Sequence, residues 1–421
     1  MRNENTSNTQ NPLNHLSIRH LDLFLVTIYS PFKSLIKGGT LKHNAFELER
    51  WQSVHEHHVE LNLTESGVNP LLVSELLDLA GQEQNFLNQT HLEYSPAHGS
   101  DELREKIAAL YPDTSEASVV VTTGGAEANY SASMHLMEPG VPVAVMLPNY
   151  MQVPGIVENF GARTLPFYLV RKDGWQPDLN QLKDCLDKGA KLILVTNPNN
   201  PTGSILTENS VSEILNLAEQ YGAWILADEV YRGAELSGPE TPSFWGKTER
   251  VIVTNSMSKA YGMPGLRLGW TLSSSEYVES IWSRKDYTTI TPNPLSDALA
   301  CLALDAETRP KVLRRTKNIL NNNFEILRSW LDSQNDRFSY LPPGAGAMCY
   351  ARYNTPINSI AFAEFVRTEK SLLIAPGDHF GVDGYLRLGY GIPADRLEMA
   401  LGRLKEAFDD VDGRIQAGHP D

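Results

Sequence analysis

The sequence predicts an α/β protein built around a mostly parallel sheet, and three observations support this prediction. Short apolar segments rich in Val and Ile recur through the middle of the chain. Helical patterns separate several of these segments, as in chains whose parallel strands are joined by helices. The segments are apolar throughout rather than alternating, which is typical of strands covered on both faces. A chain of 421 residues, 41% of them hydrophobic, is long enough to bury such a sheet.

The regular pattern starts near Phe46, where a helix is predicted, and a second helix is predicted over 73–79. Between them, residues 62–70 contain the Gly, Pro and Asn residues typical of a loop. Another helix is expected to begin at Ser100, because Asp101 falls in its first turn. Seven strands are then predicted, in chain order, at 118–122, 143–147, 164–167, 192–196, 224–227, 251–254 and 267–270.

The pattern changes near residue 309, where long helices and a few short strands replace the alternation. Helices are predicted at 311–331 and 394–408, with short strands around 348–351 and 385–388. We therefore expect residues 95–300 to form a large domain. Residues 46–94 and 301–415 are expected to form a small α+β domain together. Residues 1–45 are expected to be an N-terminal extension, with a disordered tail and a short partner-binding arm as alternatives.

Charge and cysteine usage narrow the class of protein. A formal net charge of −15 makes nucleic acid a poor expectation, because binding phosphate backbone requires clustered Lys and Arg. The apolar run at 21–29 is too short to span a bilayer, so we expect no membrane partner. Three widely spaced cysteines and no CxxC pair fit a cytoplasmic location, and we expect no metal ion.

The segment 256–269, SMSKAYGMPGLRLG, carries the strongest chemical signal. Lys259 lies among small residues that leave room for a flat ring, and such a lysine is suited to act as an amine nucleophile. Ser256, Ser258 and Arg267 have the donors and charge that bind phosphate. The alternative is an ordinary surface loop with an exposed Lys and Arg.

Other suggestive residues follow predicted strands, at the sheet edge where ligands bind in open parallel sheets. Gly125 and Ala126 open a helix whose N–H groups can face a phosphate, although a plain turn also fits the glycine pair. Tyr150 follows the next strand and can stack on a ring, or it can be a core residue.

Two later strand ends carry polar groups that suit a hydroxypyridine. Asn200, in a Pro- and Asn-rich turn, and Tyr231 can both contact a phenolate oxygen. Asp228 ends an apolar strand, and a protonated pyridine nitrogen would give its carboxylate the partner that a desolvated charge requires.

Taken together and in this order, these motifs resemble fold type I pyridoxal 5'-phosphate enzymes of the aminotransferase class I and II family, over residues 46–415. The resemblance implies a transferase fold of this type, pyridoxal 5'-phosphate as cofactor, an amino acid as small-molecule substrate, and a homodimer with shared active sites. It implies that Lys259 bonds the cofactor and moves protons, that Asp228 pairs with the ring nitrogen, and that Arg387 clamps the substrate carboxylate. The remaining implied cofactor contacts are Gly125, Ala126, Tyr150, Asn200, Tyr231, Ser256, Ser258 and Arg267. Among them, Tyr231 is also expected to take part in catalysis and Asn200 in substrate binding.

The N-terminal segments 48–51, 65–70 and 74–76 resemble the cyclases of this family that form capreomycidine and, in guanitoxin biosynthesis, L-enduracididine. The resemblance implies elimination of the hydroxyl of a hydroxylated arginine, such as 4-hydroxy-L-arginine, and ring closure by the guanidine. Glu49 and Glu65 would bind the guanidinium, although Glu49 also fits a solvated helix face. An aminotransferase acting on an amino acid and a 2-oxo acid is the alternative function. A catalytically silent, cofactor-binding regulator is a third hypothesis.

Overall fold

A computed structural model describes residues 44–417, apart from the side chain of residue 335. Residues 1–43 of the extension predicted at 1–45 therefore lie outside the described residues. The helices, in chain order, are α1 Glu47–His55, α2 Val73–Ala80, α3 Asp101–Ala108, α4 Gly124–Leu136, α5 Gln152–Asn159, α6 Leu179–Asp187, α7 Glu208–Tyr221, α8 Ser275–Lys285, α9 Pro294–Leu304, α10 Arg309–Ser333, α11 Ser359–Lys370 and α12 Ala394–Gln416.

The strands form three sheets. They are β1 Leu61–Asn62, β2 Val119–Thr122, β3 Pro142–Leu147, β4 Arg163–Val170, β5 Gln176–Pro177, β6 Leu192–Thr196, β7 Trp224–Asp228, β8 Val251–Ser256, β9 Gly269–Leu272, β10 Phe338–Ser339, β11 Met348–Tyr353, β12 Leu372–Leu373, β13 Ala375–Pro376 and β14 Tyr385–Gly389. The large sheet has the order β2-β9-β8-β7-β6-β3-β4-β5. A four-stranded antiparallel sheet, β10-β11-β14-β13, and the parallel pair β1-β12 complete the set.

The large sheet confirms the predicted α/β class and differs from the expected seven strands in two details. Its eighth strand, β5, is two residues long and contains Pro177, which suits an edge because proline cannot donate to a strand ladder. β9 begins at Gly269 rather than at Arg267, because Arg267 has a left-handed φ of +46° that no strand accommodates. β9 pairs antiparallel with β2 and β8, and β5 pairs antiparallel with β4.

Both faces of the large sheet are buried, as its apolar strands predict. Along β8, Val251 and Val253 belong to one apolar cluster, whereas Ile252 belongs to a second cluster. Successive strand residues point to opposite faces, so each cluster packs on its own side of the sheet. The strands therefore form a rigid layer whose carboxyl ends can hold polar side chains at fixed positions.

The two ends of the described chain meet in the smaller sheets. β1 pairs with β12, which lies more than 300 residues later, and the side chain of Trp51 in α1 donates to the carbonyl of Ile374 at 3.0 Å. This arrangement places α1 beside β14 and the cavity described next. The division into domains near residues 95 and 300 stays a prediction.

Candidate active site

A cavity of about 410 Å³ opens where β3, β6, β7 and β8 end. It brings together every side chain that sequence analysis singles out for catalysis, cofactor or substrate. The predicted residues that line it are Glu49, Glu65, Gly125, Ala126, Tyr150, Asn200, Asp228, Tyr231, Ser256, Ser258, Lys259, Arg267 and Arg387. Their roles stay predictions, whereas their proximity is a property of the fold.

Lys259 extends into the cavity from the turn after β8, and its side chain is partly exposed. Its Nζ atom lies 3.8 Å from Oε2 of Glu65. The segment that carries Glu65 packs against the lysine: a Cβ atom on Gly67 would lie 3.3 Å from the carbonyl oxygen of Ser258 and 3.4 Å from Cδ of Lys259. The amine is thus held near one acid and still faces open space.

Asp228 ends β7 on the floor of the cavity, half-buried and surrounded by protein on its inner side. Its oxygens accept from Nδ2 of Asn129 at 2.9 Å and from the backbone N–H of Val230 at 3.1 Å. Burial raises the pKa of the Asp228 carboxyl, while the two donors and the charge of Lys259 oppose that rise. A cation placed on the open side of this carboxylate would offset its desolvation.

Tyr231 and Asn200 form a buried hydrogen-bonded pair beside Asp228. Nδ2 of Asn200 donates to the Tyr231 hydroxyl at 3.1 Å, and that hydroxyl donates to Oγ of Ser66 at 2.8 Å. Because Nδ2 of Asn200 faces the tyrosine, its side-chain oxygen Oδ1 faces Arg387, whose Nη1 donates to it at 2.9 Å. The four side chains therefore fix one another's orientation.

Arg387, in β14, is only 2% exposed and lines the same cavity. Its Nη2 donates to the carbonyl of Thr64, and its guanidinium lies over the ring of Phe380 at 5.0 Å. Burial lowers the pKa of Arg387. Its Nε finds no acceptor among residues 44–417. A buried guanidinium with an unused donor beside a cavity is suited to bind an anion such as a carboxylate.

The N-terminus of α4 approaches the turn that follows β8. Gly124 has a φ of +84°, and a Cβ atom there would lie 2.5 Å from Nη2 of Arg267. A Cβ atom on Gly269 would lie 2.6 Å from the carbonyl carbon of Gly124. Ser256 and Ser258 lie at the same end, where the N–H of Ser258 points to Oγ of Ser256 at 3.3 Å. Small residues, hydroxyls, a helix N-terminus and a guanidinium form a cradle whose chemistry is suited to phosphate.

Tyr150 crosses the cavity toward α1. Its hydroxyl donates to Oε1 of Glu49 at 2.6 Å, and its ring meets the edge of Phe46 at a centroid distance of 4.9 Å. Burial raises the pKa of Tyr150 well above its ordinary value, and the Glu49 carboxylate raises it further. The phenol is therefore a neutral donor that holds Glu49 in place.

A family comparison decides which proteins share this arrangement. The sequence model described as aminotransferase class I and II matches residues 62–404. The chain belongs to this family. A capreomycidine synthase from Streptomyces vinaceus is 27% identical over 364 residues, which cover 86% of this chain and 93% of that enzyme. An aspartate aminotransferase from Streptomyces avermitilis is also 27% identical, over 341 residues that cover 77% of this chain and 83% of that enzyme.

A solved structure supports the same conclusion. A PLP-dependent aminotransferase from Streptococcus suis 89-1591 has a TM-score of 0.83 and 29% sequence identity, and the match covers 88% of this chain and 98% of the other. This aminotransferase-family chain is therefore a fold type I enzyme that uses pyridoxal 5'-phosphate. No helix within residues 44–417 is both long and apolar enough to cross a membrane.

The residues present fit pyridoxal 5'-phosphate. The backbones at Gly124 and Gly269 lie too close together for a side chain on Gly269, and the cradle that they form suits a phosphate. The open face of Asp228 suits a protonated ring nitrogen. The buried pair of Tyr231 and Asn200 suits the ring hydroxyl oxygen. Lys259 lies in the same cavity, and its amine would suit the cofactor aldehyde.

The cavity also contains residues that sequence reasoning did not assign to the site. Ser66 accepts from Tyr231, and Glu56 lies near Glu49 and Glu65. Asn129 and Gln152 lie below Asp228. A signal for Asn129 was available, because it follows Gly125 by four residues and so falls on the same face of α4.

Proposed function

We propose that the enzyme is a cyclase that converts a hydroxylated arginine, 4-hydroxy-L-arginine, into a cyclic guanidino amino acid similar to L-enduracididine. The observation that carries this proposal is the placement of opposite charges in one cavity. Arg387 lies buried in this cavity, and three carboxylates, Glu49, Glu56 and Glu65, form what we call the acidic rim. Burial lowers the pKa of Arg387, whereas Glu65 and Glu49 lie close enough to it to raise that pKa. An amino acid with a cationic side chain has the matching distribution of charge.

The acidic rim is a true electrostatic cluster rather than three unrelated surface groups. Burial raises the pKa of Glu56, and the carboxylates of Glu65 and Glu49 raise it as well, whereas His57, whose Nε2 lies 3.4 Å from Oε1 of Glu56, lowers it. A guanidinium placed among them would relieve this repulsion and can form paired hydrogen bonds with a carboxylate. The hydrogen bond from Tyr150 keeps Glu49 directed at the cavity.

The chain's own groups would divide the reaction between them. Arg387 binds the substrate carboxylate and so presents the α-carbon to the amine of Lys259, which accepts the α-proton. When bound, pyridoxal 5'-phosphate supplies the electron sink for this proton loss. Glu65, 3.8 Å from the Lys259 amine, is placed to share the proton that the departing hydroxyl needs. For a hydroxyl on the γ-carbon, a β-proton must also be removed before the carbon–oxygen bond can break. A guanidine nitrogen then bonds the same γ-carbon and gives up its proton, and the α- and β-carbons regain theirs, so the net change is the loss of one water without any oxidant.

A second candidate function has its own support. The aspartate aminotransferase from Streptomyces avermitilis matches this chain at the same level of identity as the capreomycidine synthase, 27% in each case. An aminotransferase would use the same Lys259 and Arg387, and it would transfer the amino group to a 2-oxo acid. The acidic rim favours the cyclase, because a dicarboxylic substrate such as aspartate would be repelled by it.

One assay separates the two functions. The purified enzyme, loaded with cofactor, is incubated with 4-hydroxy-L-arginine and no 2-oxo acid, and products are identified by mass spectrometry and NMR. The cyclase proposal predicts a cyclic product lighter by one water that retains the α-amino group. Turnover that requires a 2-oxo acid and removes the amino group would instead establish the aminotransferase.

We also propose a homodimer. A second cavity beside the first is lined by Leu92, Tyr94 and Arg267, and the two apolar residues are 82% and 85% exposed. A second copy of the chain placed there would bury these side chains and close the exposed flank of Arg267. Sedimentation of the holoenzyme tests this proposal.

The cytoplasmic location also stays a proposal; the three cysteines are free and buried, as in a reducing compartment.

A further inference from the structure

The amide of Asn129 lies under Asp228 in the second turn of α4, and it is 3% exposed. Its Nδ2 donates to Oδ2 of Asp228 at 2.9 Å and to Oε1 of Gln152 at 3.2 Å. Its Oδ1 accepts from Oγ1 of Thr254 at 2.6 Å. Each polar atom of this buried amide therefore has a partner, and one of the partners is the carboxylate assigned to the cofactor nitrogen.

The direction of this amide is determined by its neighbours. Gln152 donates through Nε2 to the carbonyl of Ala126 at 3.0 Å, so its Oε1 must face Asn129. A carboxylate can only accept hydrogen bonds. Both neighbours therefore require the NH2 group of Asn129, and the hydroxyl of Thr254 supplies the donor that its carbonyl needs. The amide cannot rotate without losing all three hydrogen bonds.

The fixed amide acts on the charge of Asp228. A half-buried carboxylate with few donors tends to take up a proton, and a neutral acid cannot pair with a protonated ring nitrogen. A donor held at 2.9 Å stabilises the ionised form. Gln152 also links this amide to Ala126 in the phosphate cradle, so the two ends of the cofactor site share one hydrogen-bonded support.

We propose that Asn129 is a positioning residue that keeps Asp228 ionised and aimed at the cofactor ring nitrogen, with Gln152 and Thr254 holding its amide. This inference rests on the proposed role of Asp228, and it is independent of whether the enzyme is a cyclase or an aminotransferase.

The test compares two ligands that differ at the ring nitrogen. Apoprotein is titrated with pyridoxal 5'-phosphate and with its 1-deaza analogue, in which CH replaces the nitrogen, and binding is followed by tryptophan fluorescence. Asn129→Leu should weaken pyridoxal 5'-phosphate roughly tenfold or more, the size expected for one charge-assisted hydrogen bond. Its affinity for the analogue should stay within about twofold of the wild-type value.

Two outcomes would overturn the proposal. An equal loss of affinity for both ligands would mean that the Asn129 amide is purely structural, and an unchanged affinity for both would mean that it does not act on Asp228. Asp228→Ala is the reference and should show the same selectivity more strongly; if it shows none, the role of Asp228 fails and the inference fails with it. Ser133→Ala is the matched control, because Ser133 is buried on α4 and does not line the cavity.

Should Asn129→Leu fail to fold, Thr254→Val decides the same question, since it removes only the hydroxyl that holds the amide and keeps a β-branched residue in β8. A selective loss of roughly threefold for pyridoxal 5'-phosphate is expected, smaller because Asn129 remains. An unselective result would refute the inference. A selective result combined with no arginine cyclisation would overturn the proposed function alone.

Discussion

The floor of the cavity and its acidic rim differ in how completely their polar groups are paired. The floor, which we define as Asn129, Asn200, Asp228 and Tyr231, is a set of buried or half-buried groups linked by hydrogen bonds of 2.8–3.1 Å to one another or to Ser66. The rim consists of carboxylates that are exposed or half-buried and repel one another. A fully paired floor suits a cofactor that stays bound, whereas exposed carboxylates with only one partner each in the described part of the chain, such as Glu65 beside Lys259 and Glu49 beside Tyr150, suit a ligand that arrives and leaves.

The largest effect should come from the amine that lies between floor and rim. Lys259→Ala removes both the bond to the cofactor and the base, so turnover should fall by more than about a thousandfold, given that proton transfer alone contributes roughly 10²–10⁴-fold. The absorption band of the lysine-bound cofactor should disappear as well. Spectra and turnover are measured after dialysis without borohydride.

Lys188→Ala, at an exposed position after α6, is the control and should keep both the band and the activity. If the Lys259→Ala protein retained the band after dialysis, Lys259 would not be the residue that bonds the cofactor.

Replacing one rim acid should change selectivity rather than chemistry. L-arginine and L-citrulline have similar shapes, and only arginine carries a guanidinium, so the ratio of their inhibition constants reports the charge of the rim. Glu49→Gln should reduce the preference for arginine roughly fivefold, because a partly exposed ion pair is worth at most about 1 kcal/mol. Gln keeps an acceptor for the Tyr150 hydroxyl, so the geometry is preserved.

Glu47→Gln is the matched control for this experiment, since Glu47 is exposed in the same helix and does not line the cavity. An equal loss of affinity for arginine and citrulline would show that Glu49 supports the cavity without recognising charge.

The contrast between floor and rim also explains what the sequence could predict. Lys259 and Asp228 follow strands whose apolar pattern is visible in the sequence, so their meeting at one sheet edge could be expected. The spacing of Asn129 from Gly125 could place it on the cavity face of its helix, whereas its contact with Asp228, 99 residues later, is encoded by no local pattern. Glu56 looks like an ordinary helix-end acid until the fold brings Glu65 close to it. The left-handed Arg267 and the edge strand at Pro177 were missed because each is imposed by tertiary packing.

The smallest predicted effect concerns the pH dependence of the rim. Burial and the nearby carboxylates raise the pKa of Glu56 despite the opposing effect of His57, so this acid gains a proton at a higher pH than an ordinary glutamate as the solution is acidified. Binding of a guanidinium favours the ionised form, hence arginine affinity should decline as pH falls through that raised pKa, while citrulline affinity should change little. Glu56→Gln should remove this part of the decline, an effect of roughly twofold to fivefold between neutral and mildly acidic pH.

Inhibition constants of both ligands measured across that range test the prediction, with Glu47→Gln as the control. A Glu56→Gln profile that coincides with the wild-type profile would show that Glu56 does not face the bound side chain, and recognition of charge would then rest on Glu49 and Glu65 alone.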